Sequence, residues 1–285
     1  MADQPTVTTR AGVEMPWIVY GTAWKKERTA DLVAQAVLAG FRGIDTACQP
    51  RHYREAGVGE ALERLKAQGV ARDSLFLQTK FTPVDGQDPS SVPYDPSAPV
   101  DAQVARSFEV SRANLKTDEI DSLLLHSPLD SHEETMRAWR AMEAIHAGGG
   151  VRQLGICNCY DLPVLRALDA DASVKPAVLQ NRFYRKTGYD RELRAWCEGE
   201  GVVYQSFWTL TANPHVLKSA AVAALSERLG RTAAQVFFRF VRQSGIVPLT
   251  GTTSPEHMAQ DLDVPSFELS AGDMESVAAE LRRGP

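Results

Sequence analysis

The chain has no apolar run approaching the roughly 18 residues that a membrane-crossing helix needs. Its first ten residues, MADQPTVTTR, carry neither the basic start nor the apolar core of a secretory signal. A cytoplasmic protein that does not engage the membrane is therefore expected. A basic excess is also missing. The 31 lysines and arginines face 36 acids, a net charge of −5, whereas a duplex-binding protein needs a cationic face, so nucleic acid is not expected as a ligand. Cysteine is scarce, at four in 285 residues. Cys48, Cys157, Cys159 and Cys197 read as reduced thiols rather than a disulfide framework. Cys157-Asn-Cys159 has no matching ligand pair elsewhere, so no metal site is expected. No glycine-rich fingerprint follows the first apolar strand, which argues against a doubly wound dinucleotide fold. No conspicuous apolar seam is present, which favours a monomer.

What is present is alternation. After a hairpin expected around Gly12, short apolar stretches read as strands at 19–24, 41–44, 75–78, 120–125, 151–156, 177–180, 202–207 and 246–249. Helical spacing fills the intervals, including 29–38, 55–68, 100–115, 133–146 and one long helix at 216–229. Eight strands alternating with helices specify a (β/α)8 TIM barrel with an N-terminal β-hairpin. No linker-like shift in composition divides it, so residues 1–285 are expected to form one domain. The stretch 81–99 is irregular and holds five prolines. A loop of that length in a compact domain is usually functional, and it reads as a pocket wall or lid, with a mobile insertion as the alternative.

Barrel active sites form at the C-terminal ends of the strands. Asp45, Lys80 and His126 each close a predicted strand, and Tyr53 lies in the loop after Asp45. An ammonium beside a phenol stabilises the phenolate and lowers its pKa, and a carboxylate paired with the lysine compensates the lysine's burial. A histidine adds a hydrogen bond to a substrate oxygen. Such a group is a tuned proton donor beside a polarised carbonyl, and it needs a hydride carrier. Taken singly, each residue also has a bland reading: a helix cap, a solvated strand end, a satisfied loop histidine. Trp24, Phe81, Tyr94 and Trp208 are candidates for an aromatic substrate pocket, whereas Trp139 and Trp196 fall on helices and read as core.

Six segments, Gly21-Thr-Ala-Trp24, Ile44-Asp-Thr-Ala47 with Val58-Gly-Glu-Ala-Leu62, Leu77-Gln-Thr-Lys80, Asp121-Ser-Leu-Leu-Leu-His126, Gly150-Val-Arg-Gln-Leu-Gly-Ile-Cys-Asn158 and Gly251-Thr-Thr-Ser-Pro-Glu-His257, resemble the aldo-keto reductases in the family's order. The resemblance runs from near Gly21 to near Asp261. It implies a (β/α)8 barrel that reduces an aldehyde or ketone with NADPH, with Tyr53 as proton donor, Asp45 and Lys80 tuning it, and His126 orienting the substrate. It further implies that Asn158 and Gln180 hold the nicotinamide carboxamide and that Phe207 stacks on the ring where the family usually has tyrosine. Gly21, Thr22, Leu210, Gly251, Thr252, Thr253, Ser254, His257, Gln260 and Asp261 would complete the cofactor site.

Departures from the family's pattern leave alternatives open. Tyr53 follows Asp45 by eight residues, a longer spacing than usual, and counting back from Val58-Gly59 places His52 at the tyrosine position. Tyr53 fits the chemistry; His52 is the alternative. Ser254 and His257 stand where NADPH-preferring members carry basic residues, so NADH is a second candidate cofactor. Two other readings stand beside the reductase: a barrel that binds the cofactor without catalysis, and a lyase using Lys80 as a Schiff-base amine.

Overall fold

The computed structural model describes residues 4–283. An antiparallel hairpin, β1 (Thr6–Thr8) and β2 (Glu14–Pro16), precedes eight parallel strands. These are β3 (Val19–Gly21), β4 (Gly43–Asp45), β5 (Phe76–Phe81), β6 (Ile120–Leu125), β7 (Val151–Cys157), β8 (Val178–Arg182), β9 (Val203–Phe207) and β10 (Val247–Thr250). They pair in chain order and β10 returns to β3, which closes the barrel. The hairpin seals its N-terminal end. Met15 is fully buried against Val19, Phe76, Val178 and Val247, each the first residue of its strand, and the Thr9 hydroxyl donates to Gln153 Oε1 at 2.7 Å. Only the opposite end is left for chemistry.

Helices cover the outside through their apolar faces, joined in one cluster that includes Val33, Leu65, Phe108, Trp139 and Phe237. Trp139 is fully buried, and its indole N–H is satisfied by the Val174 carbonyl at 3.0 Å. Two glycines mark where backbones nearly touch. A Cβ on Gly59 would lie 2.1 Å from the Asn114 carbonyl oxygen, where the helix Glu55–Ala67 crosses the end of the helix Val100–Leu115. A Cβ on Gly155 would meet Leu124 at 2.5 Å inside the barrel.

The helix expected at 216–229 is broken. Pro214–Leu217 ends, and Ala220–Leu229 begins afresh with Ser219 as its N-cap in extended backbone, accepting from the Val222 N–H. An exposed-side periodicity does not register a serine cap. Among the described residues no helix is long and apolar enough to cross a membrane, and no group of three or more His, Cys, Asp or Glu is arranged to hold a metal.

Candidate active site

Side chains alternate across a strand, and this alternation builds the site. On β5, Gln78 and Lys80 point into the barrel while Thr79 and Phe81 point out. On β8, Gln180 points in and Asn181 out, where it meets Asp190. Three inward glutamines form a floor: the amide N–H groups of Gln78 and Gln180 both donate to Gln205 Oε1 at 2.8 Å and to Asp45 Oδ1 at 2.8 and 3.0 Å. Asp45, at the end of β4, is thus held from below before Lys80 reaches it.

Lys80 Nζ donates to both Asp45 oxygens, at 2.6 and 2.7 Å, and to the Thr46 carbonyl at 2.9 Å. Neither side chain is open to solvent. Burial alone would depress the lysine, but the carboxylate outweighs it and the net shift is upward. A fully bonded ammonium is a poor Schiff-base nucleophile, which disfavours the lyase. The Tyr53 ring stands over this ammonium, 5.3 Å from Nζ to the centroid. Burial pushes the phenol up to about 12; Lys80 pulls it down and Asp45 adds to the rise. The sequence-based expectation of a lowered phenol pKa is therefore corrected, because desolvation outweighs the lysine. Tyr53 is a firmly protonated donor at neutral pH.

His126 lies edge-on to Tyr53, with centroids 6.1 Å apart. Its Nδ1 is engaged by the Thr82 hydroxyl at 2.6 Å, so Nε2 is the nitrogen left for a ligand. Burial first, and then Lys80, hold the imidazole well below its usual value, so it is neutral in ordinary buffers.

His52 faces elsewhere. Its Nδ1 meets Gln49 Oε1 at 2.8 Å and its ring packs on Trp24 at 4.1 Å. Trp24 and Trp208 stand at the rim, 58% and 48% exposed, and both adopt positive φ, 64° and 55°, an uncommon backbone state for bulky residues that clusters at functional sites. Phe81 and Tyr94 do not line the mouth. Phe81 falls on the outward face of β5, packs on Tyr94 at 5.7 Å and is 1% exposed. The Tyr94 hydroxyl donates to the Thr82 carbonyl at 2.6 Å. The proline-rich stretch is anchored to the site's rim: Gln49 reaches the Gly86 carbonyl at 2.5 Å and Gln87 the Cys48 carbonyl at 3.0 Å. It forms a wall.

The expected cofactor residues divide. Phe207 is on the inward face of β9, two residues beyond Gln205. Asn158, at φ 53°, donates to the His126 carbonyl at 2.9 Å and accepts from the Tyr160 hydroxyl at 3.2 Å. Gln180 has both its donors committed to the floor; its Oε1 meets only the Cys157 thiol at 3.6 Å. Thr22 is fully buried and binds the Asp45 carbonyl, and Leu210 packs on the outer core. Thr252 Oγ1 accepts from the Ser254 N–H, and Ser254 caps the helix Pro255–Leu262. Thr253 and His257 are exposed beside it, and Gln260 is tied to Glu256 at 3.1 Å. Asp261 is turned inward instead: its carboxylate accepts from Thr250 at 2.7 Å and is pushed up to about 6 by burial.

Four contributors lie outside the site residues expected from the sequence. Gln78 and Gln205 complete the floor, and counting by twos from Lys80 and Phe207 finds them. Lys25, next to Trp24, is 9% exposed with its ammonium on the Gly251 carbonyl; burial, then Arg28, lowers it to about 8. The fourth, Arg182, stands at the end of β8. A groove of about 520 Å³ lined by Phe183, Arg194, Phe240 and Met274 lies outside the barrel and shares no residue with this cluster.

The profile of the Aldo/keto reductase family matches residues 17–213. The chain belongs to the aldo-keto reductase family. Glyoxal reductase of Bacillus subtilis is 30% identical over 98% of this chain and 95% of its own length. Morphine 6-dehydrogenase of Pseudomonas putida is 30% identical over 99% and 94%. An aldo-keto reductase from a Medee basin deep-sea metagenome library superposes with a TM-score of 0.82 at 25% identity, covering 96% of this chain and 94% of its own. This aldo-keto reductase is an NAD(P)H-dependent oxidoreductase that reduces carbonyl groups. The Asp45, Tyr53, Lys80 and His126 cluster lies at the open end of its barrel.

Proposed function

We propose that this reductase uses Tyr53 as the proton donor to a carbonyl oxygen held between the Tyr53 hydroxyl and His126 Nε2, with NADPH as the preferred cofactor. The observation that carries the reading is the Tyr53 ring set over an ammonium that Asp45 locks in place. Bound NADPH would supply the hydride, which no side chain here can. A protonated phenol and a neutral imidazole both donate to an oxygen on which negative charge develops, and both act inside a buried site where such bonds are strong. Lys80 stabilises the phenolate left behind, so the proton transfer does not strand an anion.

Lys25 supports the phosphate-bearing cofactor. It is a buried ammonium with a carbonyl partner and, among the described residues, no carboxylate in ion-pair range. A phosphate at the loop Gly251 to Ser254, ahead of the N-terminus of Pro255–Leu262, would supply the missing counter-charge. Trp24, Trp208 and His52 would border the substrate, a small or medium aldehyde or ketone; one relative is named for reducing glyoxal and another for dehydrogenating the larger alcohol morphine. Residues 1–285 would act as one barrel domain, monomeric and cytoplasmic, with no nucleic-acid partner.

Two variants test the assignment, with NADPH oxidation and tryptophan quenching by NADPH as readouts. Tyr53→Phe should lower turnover by about 10²- to 10⁴-fold, the worth of a general acid, with nucleotide affinity retained. Loss of turnover in His52→Phe, with Tyr53→Phe active, would reverse the assignment.

A further inference from the structure

Arg182 is a cation at the mouth of the barrel with no anion beside it. Alternation on β8 places it on the same face as Gln180, one step nearer the open end, and register sets it beside Phe207 of β9. Its guanidinium carbon lies 4.1 Å from the centre of the Trp208 ring, 5.3 Å from Tyr184 and 5.9 Å from Phe207. Among the described residues no carboxylate lies within ion-pair range of it, and its Nε is buried without a hydrogen-bond partner. Rings against a guanidinium fix its plane while leaving N–H edges unspent. A fixed, unpaired fork is what a planar anion needs for a two-point contact.

Resting on the reductase reading above, we propose that Arg182 binds a carboxylate on the substrate, so that this site takes aldehydes or ketones that also carry an acid group. The surrounding charge favours a monoanion. Lys80 is neutralised by Asp45 and burial keeps His126 uncharged, which leaves Arg182 at the mouth as a positive charge with no counter-ion in range among the described residues. Lys25 is committed to the Gly251 loop.

The test compares terephthalaldehydic acid with its primary amide, a pair matched in size and differing in charge. The wild-type protein should prefer the acid. In Arg182→Gln the acid-to-amide ratio of kcat/KM should fall about 10- to 100-fold, the worth of a hydrogen bond to a charged group. Arg182→Lys, which keeps the charge without the fork, should fall between. An unchanged ratio in Arg182→Gln overturns the proposal, as does a loss of NADPH affinity in that variant measured by tryptophan quenching, which would put the anion on the cofactor. Failure to oxidise NADPH with either aldehyde refutes the reductase reading instead. Calorimetry with hydroxymethylbenzoate on the NADP+-loaded protein then decides the anion site by itself: binding lost in Arg182→Gln supports it, and binding retained overturns it.

Discussion

Asp45→Asn isolates what the buried ion pair contributes, because it changes one atom pair and little volume. Asn can keep Oδ1 as acceptor for Lys80, Gln78 and Gln180. The position of Oδ2, 2.6 Å from Nζ, then holds an amide N–H that faces another donor. Lys80 is left as a buried ammonium with no counter-charge, and breaking a buried pair from one side costs about 3–5 kcal/mol. The lysine has an escape: it can lose its proton. That route costs about 1.4 kcal/mol for each pH unit below its ordinary value near 10.4, so it caps the penalty at about 4.6 kcal/mol at pH 7 and about 2 kcal/mol at pH 9.

The sign follows from the direction of each shift. In the wild-type protein Lys80 is raised, so its contribution is present throughout pH 7 to 9 and is lost only as pH rises through the folded value. In the variant burial has no opponent and the lysine is depressed, so the penalty shrinks as pH rises. Urea midpoints at constant m-value should therefore show a destabilisation of about 3–4.5 kcal/mol at pH 7 that falls below about 2 kcal/mol at pH 9. A deficit under about 1 kcal/mol at pH 7, or one that does not change with pH, would refute the premise that Asp45 is what keeps a charge on Lys80.

Asp261, raised to about 6 by burial, is an acid whose ionisation costs stability as pH rises through that value. Asp261→Asn should be the more stable protein at pH 7 by about 1–3 kcal/mol, with the difference gone near pH 4, and paired urea titrations would show it; a less stable variant at pH 7 would contradict the burial cause. Lys25, lowered to about 8, should make NADPH affinity weaken as pH rises past about 8, measured by tryptophan quenching, and Lys25→Met should flatten that dependence. Between about pH 6 and 9, kcat for carbonyl reduction should show no inflection from the site itself, because Tyr53 stays protonated up to about 12 and His126 stays neutral; an inflection near 6.5 would mean the imidazole titrates in catalysis.

The barrel was legible because its signal is repeated. Eight apolar stretches and the helices between them agree with one another, and no single one has to be right. The strand at 120–125 and the helix at 100–115 have the expected limits, the helix because Pro99 opens it. The helix expected over 216–229 is interrupted because Lys218 ends one helix and Ser219 caps the next, and a polar pair at that point also fits an unbroken amphipathic period. Phe81 was misplaced for a different reason. It is next to Lys80 on β5, and adjacent residues on a strand face opposite ways, so an inward Lys80 turns Phe81 out of the pocket.

The candidate site was legible as a set of residue types and illegible as an energy balance. Which charges sit together could be read from strand ends, and so could the direction in which Lys80 acts on Tyr53. How deeply the phenol is enclosed depends on the walls: the Thr82 strand end, the anchored loop, Cys157 and the glutamine floor, which come from β5 with its loop and from β7, β8 and β9. Desolvation sums over all of them, and here it outweighs the nearest charge. The same limit hid Arg182 and Lys25. A lone arginine or lysine in a sequence looks solvated until the fold shows that aromatic rings surround the one and that burial depresses the other. A cation that the fold encloses without giving it an anion is a demand for a ligand. Among the described residues Lys25 and Arg182 are two such cations at the open end, and on the proposals above they would serve the cofactor and the substrate.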